Sequence, residues 1–287
     1  MSLIDLERRV EPKPESLQRD ASIVSVWGSA GSGKTNLAVN LAFELASMGH
    51  QVCLVDCSTR RPAIAPWLGI TEPGPGILGL LRLARQDRLD QEQFLRLSHE
   101  ICFGNHSLAL ISGISQPARW PEFDGEAINA LLDWISRQYS FVVLDLDSDL
   151  ERGLIKLEAS IERNQPTASL LERSTRVLMV SGSDPVSVNH TLMAVRDLTC
   201  DYELIANRLR SSVLGRDPAR QVRDTLYELL SKELISVLPD DSEAVDQSML
   251  KSQPLLMIAK NSKLREAIRA LAIELIKHRE GRLENRE

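Results

Sequence analysis

Residues 28–35 read G-S-A-G-S-G-K-T, and this segment with its flanks is the main indication of the fold. The residues before it, 23–27, are mostly β-branched and aromatic, which is typical of a buried strand. After it, an apolar residue recurs every three or four positions up to Gly49, which predicts a helix that ends at a left-handed glycine. These apolar positions are Leu37, Leu41, Leu45 and Met48. The local order is therefore strand, glycine-rich turn and helix.

In that order the pattern G-x-x-x-x-G-K-[ST] predicts a phosphate-binding loop. Glycines allow backbone N–H groups to converge on phosphate oxygens, and the helix presents its positive end to them. Lys34 is predicted to reach the β- and γ-phosphates, and the Thr35 hydroxyl to bind Mg²⁺. An ordinary glycine-rich turn is the alternative, and it would have to match the motif and both flanks by chance.

The composition is that of a globular α/β protein. The chain has 287 residues, of which 4% are aromatic, and a formal net charge of −6. This length suffices for one large α/β domain or two small ones, and plentiful aliphatic residues suit helices that cover a parallel sheet. The negative charge argues against a protein that coats nucleic acid with its whole surface.

The spacing of the cysteines and the length of the apolar runs indicate the cellular compartment of the protein. Cys53, Cys57, Cys102 and Cys200 lack the C-x-x-C spacing of zinc sites, and we interpret them as thiols in a reducing cytosol. No apolar run approaches the roughly 18 residues that span a bilayer. Residues 1–20 are too charged for a signal peptide. We therefore expect a cytoplasmic protein.

Strands and helices alternate from residue 21 onward, with no linker long enough to separate two domains. Beyond the first strand, the predicted strands are 51–56, 107–113, 141–145, 176–180, 203–206 and 234–238, with a polar segment around Asn164 and Pro166 before the strand at 176. This order predicts a three-layer α/β fold, with a mostly parallel central sheet and helices on both faces. We expect a mobile tail at 1–20, one domain at 21–279 and a charged tail at 280–287.

Ligands of such sheets bind at the carboxyl ends of the strands. The residues that fall there are Gly28, Asp56, Asp145, Asn207 and Pro239. Asp145 follows four apolar residues, as expected of an acid that orients magnesium at the end of a central strand, and a helix-capping or loop carboxylate is the alternative. Asp147 lies in the same L-D-L-D stretch but one strand period further out, so we prefer Asp145.

Several segments together resemble the MinD/ParA family of P-loop ATPases. They are G-S-A-G-S-G-K-T, V-C-L-V-D-C-S-T-R-R-P-A-I-A-P-W-L-G, F-V-V-L-D, L-I-A-N-R and V-L-P-D-D. The similarity extends from about residue 22 to residue 275. The segments G-I-S-Q-P-A-R-W-P-E, R-N-Q-P-T and S-D-P-V-S-V-N-H further resemble an actinobacterial branch akin to the pilus-positioning proteins CpaE and TadZ.

The resemblance implies a SIMIBI-like P-loop NTPase that binds ATP or ADP with Mg²⁺ and forms a homodimer with two nucleotides between the subunits. The positions that match the phosphate loop and its helix start are Gly28, Gly31, Ser32, Gly33, Lys34, Thr35 and Asn36. Asp56 matches the first acid of the family's D-x-D switch, so Lys34 and Asp56 are the implied catalytic residues, and Thr35, Asp56 and Asp145 the implied metal-binding ones. Asn207 matches the residue that hydrogen-bonds adenine, and Pro239 with Asp240 matches the loop that closes over the base.

Two positions depart from the family pattern. The family has a second lysine after the first glycine of the loop and a second acid in the switch, whereas this sequence has Ser29 and Ser58. A missing cationic contact lowers the hydrolysis rate by about 10³-fold in arginine-finger systems. We therefore expect slow hydrolysis, with Arg60 or Arg61 as substitutes for the lysine or as solvated loop charges.

Two further surfaces bear on partners. The arginines at 208, 210, 216, 220 and 223 concentrate positive charge, but Asp217 and Asp224 lie among them, so we favour a solvated helical face over nonspecific DNA binding. The sequence from 277 to 287, K-H-R-E-G-R-L-E-N-R-E, offers no apolar side for a direct membrane anchor.

Our leading hypothesis is a MinD/ParA-like ATP-dependent dimerisation switch that positions or regulates an unknown protein assembly of septum, chromosome or pilus type. A scaffold that binds nucleotide without hydrolysing it is the first alternative. A P-loop kinase is the second, and it would need an acceptor pocket.

Overall fold

The computed structural model of the chain describes residues 21–148, 150, 159–214 and 216–284. The tail predicted at 1–20 lies outside the described residues. The strands, in chain order, are β1 (Ser22–Gly28), β2 (Val52–Asp56), β3 (His99–Phe103), β4 (His106–Ile111), β5 (Phe141–Asp145), β6 (Arg176–Gly182), β7 (Glu203–Leu209) and β8 (Leu234–Pro239).

The helices lie between and after these strands. They are α1 (Lys34–Ser47), α2 (Ile64–Trp67), α3 (Gly76–Arg85), α4 (Gln91–Leu97), α5 (Gly125–Ser136), α6 (Ala159–Arg173), α7 (Pro185–Ala194), α8 (Ser211–Leu214), α9 (Pro218–Leu230), α10 (Ser242–Lys251), α11 (Leu255–Ile258) and α12 (Lys263–Glu284). Two single 3₁₀ segments, Pro117–Glu122 and Val195–Asp197, complete the set. Because α12 continues to Glu284, the first five residues of the predicted charged tail are helical.

The eight strands form one sheet in the order β3-β4-β2-β5-β1-β6-β7-β8. Every neighbouring pair is parallel except β3 and β4, so the predicted mostly parallel sheet is confirmed. Helices cover both faces: α1 and α12 pack over one hydrophobic core, and α3, α5 and α6 over the other. The three-layer α/β architecture is therefore also confirmed.

Two local predictions were incomplete. The strand β3 was not predicted, because it follows α4 directly and only Ile101 and Phe103 of its five residues are buried, which is the weak alternating pattern of an edge strand. The polar segment around Asn164 and Pro166 belongs to the helix α6, whose Leu170 and Leu171 pack into the core. Tertiary burial thus outweighs the polar composition and the proline.

The sheet register brings the predicted strand ends together. Asp145 lies opposite Asp56 across β5 and β2 and opposite Val26 across β5 and β1. On the other side of β1, Gly28 lies opposite Val180 in β6. The phosphate loop therefore emerges at the middle of the sheet, at the edge where both carboxylates end their strands.

A group of charged side chains connects α12 with α1, the helix that begins at the phosphate loop. Glu44 of α1 is buried, with 1% of its side chain exposed, and its Oε1 lies 2.7 Å from Arg265 Nε. Arg269 Nη1 lies 3.5 Å from Oε2 but is half exposed. The buried carboxylate therefore depends mainly on Arg265.

We expect the Arg265→Ala variant to lower the free energy of unfolding by about 3 kcal/mol, because it leaves Glu44 poorly paired in the interior. The matched control Arg269→Ala removes an exposed partner and should change it by less than about 1 kcal/mol. Urea denaturation followed by circular dichroism measures both. Equal losses in the two variants would show that Glu44 does not depend on the buried arginine.

Within the described ranges, none of the helices combines the length and the apolar character needed to cross a membrane.

Candidate functional site

The turn between β1 and α1 has the shape of an anion cradle. Gly31 and Gly33 adopt φ values of 80° and 89°, which favour glycine, and Ser32 N donates to Ser29 O at 3.2 Å to tighten the loop. Gly33 precedes the first turn of α1, and no side chain of the described residues caps that end of the helix. The first N–H groups of α1 are thus available to an anion.

Buried polar atoms without partners point to the same cradle. The Ser32 hydroxyl and the Asn36 amide nitrogen are buried and have no hydrogen-bond partner among the described residues. Buried polar groups are nearly always paired in folded proteins. A bound phosphate would supply acceptors for both groups, so the residues present fit a nucleotide.

Lys34 extends along the loop after β5. Its Nζ donates to the Ser148 hydroxyl at 2.7 Å, which places the ammonium group beside the residues that follow Asp145. A lysine ammonium prefers a phosphate oxygen to a neutral hydroxyl, because charge-assisted hydrogen bonds are stronger. The lysine therefore has a weak partner that a phosphate can replace.

Thr35 and Asp145 meet beneath the cradle. The Thr35 hydroxyl donates to Asp145 Oδ2 at 2.7 Å, and Asp145 Oδ1 is buried without a partner in the described part of the chain. Burial, together with the charge of the nearby Asp56 carboxylate, raises the pKa of Asp145 to about 7. A divalent cation would relieve this repulsion, and a threonine hydroxyl with a carboxylate is a donor set that suits Mg²⁺.

Asp56 is fully buried and binds the backbone of the loop after β2. Its Oδ2 accepts hydrogen bonds from Ala63 N at 2.8 Å and Ile64 N at 3.0 Å, and its Oδ1 accepts one from Ser58 N at 3.2 Å. Burial raises the pKa of Asp56 to about 6, although these three bonds lower it. In this conformation Asp56 holds the loop at 57–63, which we call the switch loop, and the start of α2. Its role at the metal stays a prediction.

No cluster of three or more His, Cys, Asp or Glu side chains placed to hold a metal is found in residues 21–148, 150, 159–214 and 216–284. Magnesium sites in nucleotide-binding proteins commonly use one or two carboxylates together with substrate phosphates. The pair formed by Thr35 and Asp145 agrees with that kind of site.

Asp147 is a site residue that the sequence analysis set aside. It is 5% exposed, and its Oδ1 accepts from the Ser58 hydroxyl at 2.5 Å. Its Oδ2 accepts from Thr59 N at 2.8 Å and from the Thr59 hydroxyl at 2.7 Å, and lies 3.6 Å from Arg60 Nη1. The charge of Asp147 also raises the pKa of both Asp56 and Asp145. The sequence pattern L-D-L-D at residues 144–147 was the indication that Asp147 could also be a site residue.

The two arginines considered as substitutes for the missing lysine differ. Arg60 contacts Asp147 and donates from Nη2 to Asn164 Oδ1 at 2.8 Å, so it joins the switch loop to α6. Arg61 is exposed, and its backbone N–H donates to the Ser58 hydroxyl at 2.9 Å. Ser29 lies in the loop itself and is half-buried.

Asn207 reaches the phosphate loop across the sheet. Its Nδ2 donates to Ser32 O at 2.7 Å, and its Oδ1 accepts from Arg208 N at 2.8 Å. Both ends of the amide thus bind backbone, and the adenine contact stays a prediction. Pro239 ends β8 opposite Leu209, and Asp240 N donates to Leu209 O at 3.1 Å, which brings both residues to the same edge of the sheet.

Comparison with known proteins yields a family match. A family model described as the CobQ/CobB/MinD/ParA nucleotide binding domain matches residues 23–255. The septum site-determining protein MinD of Synechocystis is 24% identical over 244 residues, which cover 84% of this chain and 83% of that protein.

Solved structures show the same fold. A ParA family ATPase from Chlorobium tepidum has a TM-score of 0.71 at 19% identity and covers 88% of this chain and 98% of its own. MinD with Mg-ADP from Pyrococcus horikoshii has a TM-score of 0.67 at 19% identity, covering 88% and 94%. The MinC:MinD complex of Aquifex aeolicus has a TM-score of 0.64 at 20% identity, covering 90% and 96%.

Proposed function

Because the chain belongs to the CobQ/CobB/MinD/ParA nucleotide-binding family, we propose that it is an ATP-dependent dimerisation switch. It binds ATP with Mg²⁺ in the loop 28–35, forms a homodimer around two nucleotides, and in that state positions or regulates a partner assembly. The proposed location is the cytoplasm.

The observation that carries this proposal is the uncapped start of α1 with Lys34 beside it. The helix offers its N–H groups, Lys34 offers a charge whose partner is a neutral serine, and the Ser32 hydroxyl is buried without a partner among the described residues. These three features all favour a polyphosphate. In this proposal Asn207, Pro239 and Asp240 bind the base.

The metal would be held by Thr35 and Asp145, with Asp56 beside them. When bound, Mg²⁺ neutralises phosphate charge and orients the phosphates. The chain's own residues do the rest: the backbone N–H groups at the start of α1 bind the phosphates, and Lys34 neutralises the charge that develops on them.

Hydrolysis is expected to be slow. Ser29 offers no cation, and Arg60 is engaged with Asp147 and Asn164, so it would have to leave both to reach a phosphate. These features favour the scaffold as the second candidate function. Single-turnover hydrolysis, with and without a partner protein, separates the two.

Adding ATP and Mg²⁺ should shift the mass measured by light scattering from monomer to dimer, because two nucleotides bridge the facing subunits. ADP and Mg²⁺, which lack the γ-phosphate, are the matched control and should leave a monomer. A monomer that persists at saturating ATP would contradict the switch and favour the scaffold.

The partner is proposed at the level of class. The MinD of Aquifex aeolicus assembles with MinC, which supports a protein partner here. The segments that resemble CpaE and TadZ favour a pilus assembly, and the negative net charge favours a protein over nonspecific DNA.

A further inference from the structure

Three buried carboxylates end or follow the central strands, and they are not equivalent. Asp56 accepts three backbone N–H bonds that hold the switch loop. Asp145 accepts from Thr35 and has its other oxygen beside the proposed metal. Asp147 accepts hydrogen bonds from two side-chain hydroxyls and one backbone N–H, so most of its described hydrogen bonds come from side chains.

The loop after β5 places Asp147 next in sequence to the residue that binds Lys34. The next residue, Ser148, accepts the hydrogen bond from Lys34, the lysine assigned to the β- and γ-phosphates. Asp147 Oδ1 accepts a single described hydrogen bond, from Ser58, whereas Oδ2 accepts two. A carboxylate oxygen has two acceptor sites, so Oδ1 has one left for a water molecule.

P-loop enzymes need a side chain that orients the attacking water. We propose that Asp147 supplies this side chain from the loop after β5, and that Ser58 holds its carboxylate in place. This inference rests on the proposed function, because it assigns a catalytic residue at the same nucleotide site. The acid that orients water would then lie in the loop after β5, whereas the family has it in the loop after β2, where this chain has Ser58.

The reaction balances without a further reactant. The water oxygen bonds to the γ-phosphorus while the bond from that phosphorus to the β,γ-bridging oxygen breaks, and ADP leaves with the electron pair. Both water protons leave with the phosphate as H₂PO₄⁻. Asp147 accepts a hydrogen bond from the attacking water and is unchanged after the cycle.

The surrounding contacts keep Asp147 in position. Thr59, which donates twice to it, accepts from Arg163 Nε at 3.2 Å on its hydroxyl, and its carbonyl also accepts from Arg163. Arg163 lies 5.8 Å from the centre of the Trp120 ring. These contacts fix Asp147 more firmly than a solvated loop would.

The first test replaces Asp147 with asparagine, which keeps its size and removes its charge. Calorimetry should give an ATP affinity within about threefold of the parent, whereas single-turnover hydrolysis should fall about 100-fold or more. The matched control Asp246→Asn makes the same change at an exposed carboxylate of α10 and should leave hydrolysis within about twofold of the parent. A fall of less than about threefold in Asp147→Asn, or an equal fall in Asp246→Asn, would overturn the proposal.

The second test moves the carboxylate from position 147 to position 58. If Asp147 had only a structural role, this move would not restore hydrolysis. The double variant Ser58→Asp/Asp147→Ser should hydrolyse ATP about tenfold or more faster than Asp147→Ser alone. Ser58→Asp by itself should give no gain, because it places a second carboxylate against Asp147. A double variant no faster than Asp147→Ser contradicts the proposal.

The outcomes also separate this inference from the proposed function. A parent protein that binds no ATP in calorimetry would overturn the proposed function itself. A parent that binds ATP and hydrolyses it at a rate that Asp147→Asn leaves unchanged would overturn only the role of Asp147. A parent that binds ATP but shows no hydrolysis above background would overturn that role and also favour the scaffold.

Discussion

The Lys34→Ala variant is expected to lose ATP binding, with an affinity about 100-fold or more below that of the parent. Lys34 Nζ can make charge-assisted bonds to two phosphate oxygens, each contributing about 1.5–3 kcal/mol. When it binds phosphate, Lys34 gives up its hydrogen bond to the neutral Ser148 hydroxyl, which is weaker than either of these charge-assisted bonds. Isothermal titration calorimetry with ATP and Mg²⁺ measures the difference.

Two controls sharpen that experiment. Lys251→Ala removes a lysine from the exposed end of α10 and should leave the affinity unchanged. Ser148→Ala removes the partner of Lys34 while keeping the lysine, so ATP should bind at least as tightly as it does to the parent. An affinity retained in Lys34→Ala would mean that the loop does not bind phosphate through this lysine.

The parts of the site that follow local rules are predictable from the sequence. Glycines at 31 and 33 adopt the left-handed conformations that the loop pattern implies, and Asp56 and Asp145 end neighbouring strands in register. Each of these depends on a short segment and on the rule that parallel strands end at one edge of the sheet. No long-range contact is needed to infer them.

Side-chain pairing across long sequence separations was not predictable. Asp147 meets Ser58 from 89 residues away, and Asn207 meets the carbonyl of Ser32 from 175 residues away. The local pattern at 145–147 offers two acids and does not specify which one faces the switch loop. That choice is made by the packing of the loop after β2 against the loop after β5.

Dependence on long-range pairing also explains why the strand β3 was not predicted from the sequence. Among the described strands, residues 99–103 pair with β4 alone and bury two side chains, so their local apolar signal is weak. Pairing with β4, which is itself part of the sheet, provides backbone hydrogen bonds that the local sequence does not predict. Edge strands of this kind depend on tertiary context more than central strands such as β5.

Gly28, the last residue of β1, shows how closely the loop and the sheet approach each other. A Cβ atom at this position would lie 2.3 Å from Val180 O and 3.0 Å from the Ser32 hydroxyl oxygen. Contacts below 3.0 Å are essentially never observed for real Cβ atoms. Val180 belongs to the buried strand β6, which pairs with β1 and β7 on its two sides, so its carbonyl has little freedom to move.

We therefore expect Gly28→Ala to lower the free energy of unfolding by about 3 kcal/mol, at the upper end for an overpacked site, and to weaken ATP binding about tenfold or more. Gly31→Ala is the matched control, because Gly31 lies in the same loop with a left-handed φ of 80°, but no atom of the described residues lies within 4 Å of an added Cβ. It should cost only about 1 kcal/mol, from backbone strain. Urea unfolding and calorimetry on both variants measure these effects, and equal losses would show that backbone conformation, rather than the contact with β6, makes glycine necessary at position 28.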